Sequence, residues 1–528
     1  MVEVNPPPNP PAFSSRFCKT AFVGCLIAVC SLVLIFPGDA PWINDEPHLL
    51  LNANAYNSTP SDVLGISLPF TIASEGLIGT RDLPYGPLAI WFYQVLLLFT
   101  HDPVVLVVIR AALVTAATAI ALCWIARTLR LNPWFVPVVM ISPWLWFYSR
   151  QLWDNSFTIP LSAILFAAYA DFLQTRRPWS FRLTLVCCAI LPLIHLMALA
   201  MVIPLLAHLA YFEIRWCLRF KWSILVVLLA FIILPAGYWS ILVQAISDNL
   251  GHAMSGPPIV PETSHANAPP AVLHLLGGVF PLFGGHHVTG MGISMLMGNE
   301  WITGAVLPVK WLLSAAVGIS MIAIPAVWVG MGLAVFRAGK IYRGREDVSA
   351  IDHMAMIALA VWLVQTVLDA GLKVFQLPHY YNATWIVYIF LIWLAIATVR
   401  KKWIANGLLA LQAICLGFIT IYVLSKIHRD GGTRTLTYGT TLANQVQVSR
   451  EIESYSPKSS FEFDYPAWAQ FPPAYRALRG LDGAHPGEDL PRKYLIIRFR
   501  DAYPDDARIM LEVLPPKPLP QTQGGSRG

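Results

Sequence analysis

The chain has 528 residues, of which 56% are hydrophobic and only 12% charged, and its formal net charge is +6. Soluble proteins are about 25% charged, so folding this chain in water would leave large apolar patches exposed. The composition excludes a soluble protein, and the modest, scattered positive charge does not suggest nucleic acid as a partner. The eight cysteines include no CxxC pair, which supports neither a disulfide framework nor a structural zinc site. The 19 Trp and 18 Tyr suit a chain with many membrane–water interfaces.

Residues 1–19, with a Pro-rich stretch at 6–11, predict a disordered cytoplasmic leader. The apolar run 20–37 follows Arg16 and Lys19 and is long enough to cross a bilayer at about 20 residues per span. It lacks an Ala-x-Ala exit, which favours an uncleaved anchor over a signal peptide. Further spans are predicted near 104–126, 133–149, 156–174, 222–246, 308–336, 354–373, 382–399 and 403–424. The stretch 183–214, interrupted by Pro192, His195 and Pro204, reads as a tight hairpin of two crossings.

The run 86–100 is apolar but too short to span, and Pro84 and Pro87 stand at its start. Laid along the outer surface, or dipping in and returning, it lets the clusters Arg127/Arg130, Arg176/Arg177/Arg182, Arg215/Arg219/Lys221, Arg337/Lys340/Arg343/Arg345 and Arg400/Lys401/Lys402 all face the cytoplasm. The predicted fold class is therefore an all-α polytopic membrane protein of about eleven transmembrane helices. Surface-lying helices occupy its first outer loop. The transmembrane domain covers 20–424, with outer loops at 38–103 and 247–307. The segment 425–510, with strand-like Lys493–Arg500 and a turn at Tyr503-Pro504-Asp505-Asp506, reads as a small extracytoplasmic α+β domain, and 511–528 as a disordered tail.

Four polar constellations fall on the outer side. Asp45 and Glu46 lie in Trp42-Ile43-Asn44-Asp45-Glu46-Pro47-His48. Capping of the helix that starts near Pro47 accounts for one acid. A second carboxylate in so apolar a setting needs a cation, a proton or a metal. Such a group can deprotonate a hydroxyl or hold a divalent ion that polarises a phosphate. Next comes Arg81, followed by Pro84-Tyr85-Gly86-Pro87; its planar guanidinium suits a phosphate. The third is Tyr148-Ser149-Arg150-Gln151-Leu152-Trp153-Asp154-Asn155, where capping and an Arg150–Asp154 pair are the simpler alternatives. The last is Lys373 with His379-Tyr380-Tyr381, read either as an anion site or as an interfacial anchor. His195 and the central-loop pair His286-His287 rank lower.

The order of these motifs resembles the GT-C membrane glycosyltransferases, particularly the bacterial branch related to protein O-mannosyltransferases and the lipid A aminoarabinose transferase. An acid pair in the first outer loop precedes a Pro-rich entry (Leu83-Pro84-Tyr85-Gly86-Pro87-Leu88) and a span ending Ala126-Arg127-Thr128-Leu129. Ile141-Ser142-Pro143 then leads to Tyr148-Ser149-Arg150 and Asp154, and His379-Tyr380-Tyr381 looks like a late outer motif. The resemblance covers roughly 20–215 in order, and its specificity is in sequence order and sidedness.

By that likeness the chain is an inverting transferase of the inner membrane that uses a polyprenyl-phosphate-linked sugar and a hydroxyl acceptor. Asp45, Glu46 and Asp154 are its catalytic acids. Arg81, Arg150, Lys373, His379, Tyr380 and Tyr381 hold the donor phosphate. His48, Tyr85, Asn155, His195, His286 and His287 line an acceptor cavity. Asp45 and Asp154 are the candidate ligands for Mg²⁺ or Mn²⁺. His195 stands where many members carry a Lys. The alternatives are a transporter or flippase of a lipid-linked glycan, an O-antigen ligase or polymerase type of enzyme, and a non-catalytic assembly protein. The absence of a convincing internal repeat weakens the transport reading.

Overall fold

A computed structural model describes residues 16–42, 46–63, 66–72, 86–240, 242–244, 247, 286–289, 300–345, 347–372, 378–434, 438–455, 461–464, 475, 478, 493–499 and 506–514. Most of these residues are helical. Five helices are long and apolar enough to cross a membrane, within Pro103–Thr128, Asp154–Thr175, Leu307–Tyr342, Ala350–Leu368 and Lys402–Asp430, and a bent pair, Lys221–Ile233 with Ala236–Gln244, makes a sixth. Shorter apolar helices cover Lys19–Leu34, Pro87–Leu97, Pro178–Leu193, Leu196–Phe212 and Trp385–Ala397. The chain is a multi-pass helical membrane protein.

By packing, the chain divides into two compact units. The first comprises Met1–Ile35, Ile72–Phe92 and Val107–Val423, and the second Phe36–Thr71, Tyr93–Leu106 and Leu424–Gly528.

In the first unit, the helices Thr158–Thr175 and Trp385–Ala397 form the centre. The second of these buries its first eleven residues in an unbroken apolar run, as a helix that is hydrophobic all round must. Indole N–H groups tie it to its neighbours, since Trp385 donates to the Ile159 carbonyl at 3.0 Å and Trp393 to that of Asn132 at 2.8 Å. Helix Ala323–Tyr342 packs against it through Gly330, where a Cβ would stand 2.1 Å from the Leu391 carbonyl oxygen. Only a glycine lets the two backbones approach so closely. By contrast, helix Lys221–Ile233 buries none of its residues, as expected of a lipid-facing span.

The predicted span 133–149 is broken into the helices Phe135–Met140 and Pro143–Arg150. Pro143 lacks a donor and pushes the preceding residue out of the helical region, and Ser142 is extended (φ −57°, ψ 131°). Other elements take up the polar groups at the break. The Thr420 hydroxyl donates to the Ile141 carbonyl at 2.8 Å, and the Ser142 hydroxyl donates to the His287 carbonyl. The stretch read as a hairpin forms the helices Pro178–Ile190 and Leu199–Phe212, with two short 3-10 turns and His195 between them.

In the second unit, Glu46–Asn57 is a helix, followed by a small antiparallel hairpin, Ser61–Val63 with Ile66–Leu68. The hairpin replaces part of what the sequence suggested would be surface helix. Gln94, in helix Pro87–Leu97, donates to Asn57 Oδ1 at 3.1 Å and to the Thr71 carbonyl at 2.8 Å, which ties these pieces together. Eleven residues rise only about 16 Å, half a hydrocarbon core, so that helix is too short to cross.

Asp102 caps helix Pro103–Thr128, accepting from the Val104 N–H at 2.8 Å. After Asp430 the chain forms helix Leu442–Tyr455 and a three-stranded sheet. In the sheet Phe461–Asp464 runs parallel to Lys493–Phe499, which pairs antiparallel with Ile509–Leu514. Arg508 donates to the carbonyls of His428 (3.1 Å) and Arg429 (2.7 Å), matching the exposed acceptors at the end of helix Lys402–Asp430. Of the turn predicted at Tyr503–Asp506, residues 503–505 lie outside the described residues.

Candidate functional site

The site is built on the chain between helices Pro143–Arg150 and Thr158–Thr175. All eight residues of the first helix are buried. Gln151 is extended (φ −69°, ψ 132°), and after Trp153 the chain turns through a 3-10 segment, Asp154–Phe157. Asp154 is 1% exposed, and its Oδ1 accepts the Asn155 N–H at 2.7 Å.

What holds this turn is a residue the sequence reading passed over. Arg110 lies inside the apolar span Pro103–Thr128 and is fully buried. Its guanidinium donates to the carbonyls of Ser149 (2.9 Å), Tyr148 (3.4 Å) and Trp153 (3.1 Å), and it sits 4.6 Å from the Phe157 ring centroid. The first two carbonyls end a helix and carry its negative partial charge. The signal was present in the sequence: a lone cation in VVLVVIRAALV is costly in an apolar span unless something meets it. Arg150, also buried, lies over the Trp146 ring at 4.7 Å.

The turn Pro378–Tyr381 packs against Asp154–Phe157. The His379 ring lies 4.5 Å from that of Trp153, and Tyr380 contacts both His379 (4.3 Å) and His195 (5.9 Å). Tyr381 and Asn382 are buried. His195 accepts the Met197 N–H at its own turn, at 3.3 Å. Nearby, a Cβ on Gly86 would meet the Leu193 carbonyl oxygen at 1.6 Å, so this close backbone approach requires glycine. Tyr238 is fully buried against Leu193 and Leu242 and lies within electrostatic reach of Asp154.

Several buried polar atoms here have no hydrogen-bond partner among the described residues: Gln151 Oε1, Asn155 Oδ1, Ser156 Oγ, the Tyr238 hydroxyl, and both Asn382 side-chain atoms. Leaving one such group unmatched costs about 1–3 kcal/mol. A fold that accumulates them in facing turns is shaped to receive polar groups from elsewhere.

The structure thus brings Arg150, Asp154, Asn155, His195, His379, Tyr380 and Tyr381 into one unit on packed turns. Glu46 and His48 belong to helix Glu46–Asn57 of the second unit, where Glu46 is buried at the helix N-terminus, the end that favours a carboxylate. His287 is buried edge-on against Trp144, with centroids 4.5 Å apart. Asp45, Arg81, Tyr85 and Lys373 lie outside the described residues, as does the His286 side chain. Among the described residues no group of three or more His, Cys, Asp and Glu could hold a metal ion.

No family model matches the chain, and no curated relative does. Among solved structures it is similar to ArnT from Cupriavidus metallidurans bound to undecaprenyl phosphate, at 10% identity and a TM-score of 0.47 over 94% of this chain and 98% of that one. It is also similar to the archaeal oligosaccharyltransferase AglB from Archaeoglobus fulgidus, in complex with an inhibitory peptide and a dolichol-phosphate. There the identity is 12% and the TM-score 0.41, over 88% of this chain and 64% of that one.

Proposed function

We propose that the protein is an inverting GT-C-type glycosyltransferase that moves a hexose or pentose from a polyprenyl-phosphate donor to a hydroxyl of a lipid, glycan or protein. The reaction takes place at the outer face of the cytoplasmic membrane, with the N-terminus cytoplasmic and the C-terminal domain outside. The observation that supports this reading best is the Tyr148–Phe157 turn. There a buried acid sits among buried amides and hydroxyls with unmatched hydrogen-bonding capacity, on a backbone stapled by Arg110. A neutral polyhydroxyl group attached to an anion calls for that mixture.

A polyprenyl chain partitions into the bilayer and brings its phosphate to the interface. Arg150 and His379, joined by Arg81 and Lys373, stabilise the phosphate as it departs. Asp45 takes the proton of the acceptor hydroxyl, which attacks the anomeric carbon opposite the leaving phosphate, so the configuration inverts. Asp154 lies beside Arg150 in the same unit and is the acid through which a Mg²⁺ or Mn²⁺ ion would supply further charge at the phosphate.

The test is transfer of a radiolabelled sugar from an undecaprenyl-phosphate-linked donor in membranes carrying the full chain. Wild type is expected to transfer and Asp45→Asn to lose transfer. Equal activity in the two would discard Asp45 as the base. Transport of the intact lipid-linked sugar without cleavage would favour the flippase reading.

A further inference from the structure

We infer that Asn382, with Gln151 and Asn155 on the facing turn, recognises the hydroxyl groups of the transferred sugar and thereby sets which sugar is accepted. The inference rests on the glycosyl-transfer reading and names the part of the site that discriminates. Asn382 is fully buried, yet neither its Nδ2 nor its Oδ1 has a partner among the described residues. Gln151 and Asn155 are 3% and 2% exposed, and each leaves its amide oxygen unmatched.

The Asn382 backbone, by contrast, is fixed. Its N–H donates to the His379 carbonyl at 3.1 Å, and two residues on the Thr384 hydroxyl donates to Gln365 Oε1 at 3.4 Å. The Trp385 indole bond to the Ile159 carbonyl then ties this turn to the start of helix Thr158–Thr175, four residues beyond Asn155. That bond joins the helices that follow the two turns, which themselves pack against each other.

The chemistry of the set narrows the ligand. A primary amide offers a donor pair and an acceptor in one plane, which matches two neighbouring hydroxyls, each able to donate and accept. Three neutral amides favour a neutral polyhydroxyl group, while the anion is left to Arg150 and His379. In the ligand-free protein these amides lower stability, as groups kept for binding do.

The experiment uses the purified full chain, citronellyl-phosphate-linked hexose and pentose, and their mono-deoxy analogues, with affinity and Tm as readouts. Wild type is expected to lose about tenfold in affinity when the contacted hydroxyl is removed. Asn382→Leu is expected to bind the parent sugar about tenfold more weakly and to be indifferent to that deoxygenation. The same variant should raise the Tm of the ligand-free protein, because it replaces an unmatched buried amide by an apolar group of similar size; a purely structural asparagine would lower it. Discrimination among the deoxy sugars that is unchanged in Asn382→Leu overturns the inference and leaves glycosyl transfer standing. Failure of wild type to bind any of these probes overturns both. Should Asn382→Leu not fold, Gln151→Leu gives the same readout.

Discussion

Helix Thr158–Thr175 has polar clusters at both ends, about 27 Å apart, and they are built on opposite terms. At the C-terminal end every buried polar side chain among the described residues is matched. Asp171 accepts from the Ser180 and Thr175 hydroxyls, Arg176 pairs with Glu213 at 2.5 Å, and Tyr169, His208 and His353 form a chain of bonds of 2.5 and 3.0 Å. Arg337 pairs with Asp352 at 2.7 Å, and Asp352 also accepts from Ser349. None of these side chains leaves a buried polar atom unpartnered. At the N-terminal end, around Asp154, unmatched atoms accumulate. Both regions share one helix and one compact unit, so their difference separates polar groups that hold the fold from polar groups that the fold keeps available.

The contrast can be broken by substitution. The largest effect is expected for Asp154→Asn, which keeps the Asn155 contact but removes the charge. Transfer should fall by about 10²–10⁴-fold with donor binding retained, measured as label incorporated against donor affinity. Arg110→Leu comes next. It strips the carbonyls of Tyr148, Ser149 and Trp153 of their donor, and turnover should fall by about tenfold to a hundredfold with little change in KM. Arg110→Lys should recover only part of this, since an ammonium lacks the planar fork. Full turnover in Arg110→Leu would mean the turn keeps its shape unaided.

Gly86→Ala forces a Cβ into the Leu193 carbonyl. It should lower Tm and reduce turnover several-fold, because the turn carrying His195 must shift. The smallest catalytic effect belongs to the saturated end. His208→Phe breaks the Tyr169–His208–His353 chain and should cost stability of about 1 kcal/mol, read as Tm, with turnover per folded molecule unchanged. A large loss of turnover there would erase the distinction between the two ends.

The long spans were legible in the sequence because apolar runs of crossing length have few other uses. Helix Pro103–Thr128, for instance, covers the predicted 104–126. The break at Ser142 was not, although Pro143 is plain to see. A hydropathy window averages over a proline, and only the Thr420 and His287 partners make the gap tolerable. The polar residues of the Asp154 turn announced themselves by being polar in an apolar chain. Arg110 had the same signal and was passed over as part of a span, because its acceptors are backbone carbonyls about forty residues away, which no local pattern encodes. Asn382 was invisible for a related reason. An amide at a helix entrance reads as a cap, and its lack of a partner exists only once the turn is packed.

The three-residue turn His286–Val288 is gripped through its main chain, its His287 and Val288 carbonyls accepting from Ser142 and Gln412. Anchorage of that kind does not depend on which side chains the neighbouring loop carries. Substitutions within this turn that keep its backbone conformation therefore leave both moorings in place.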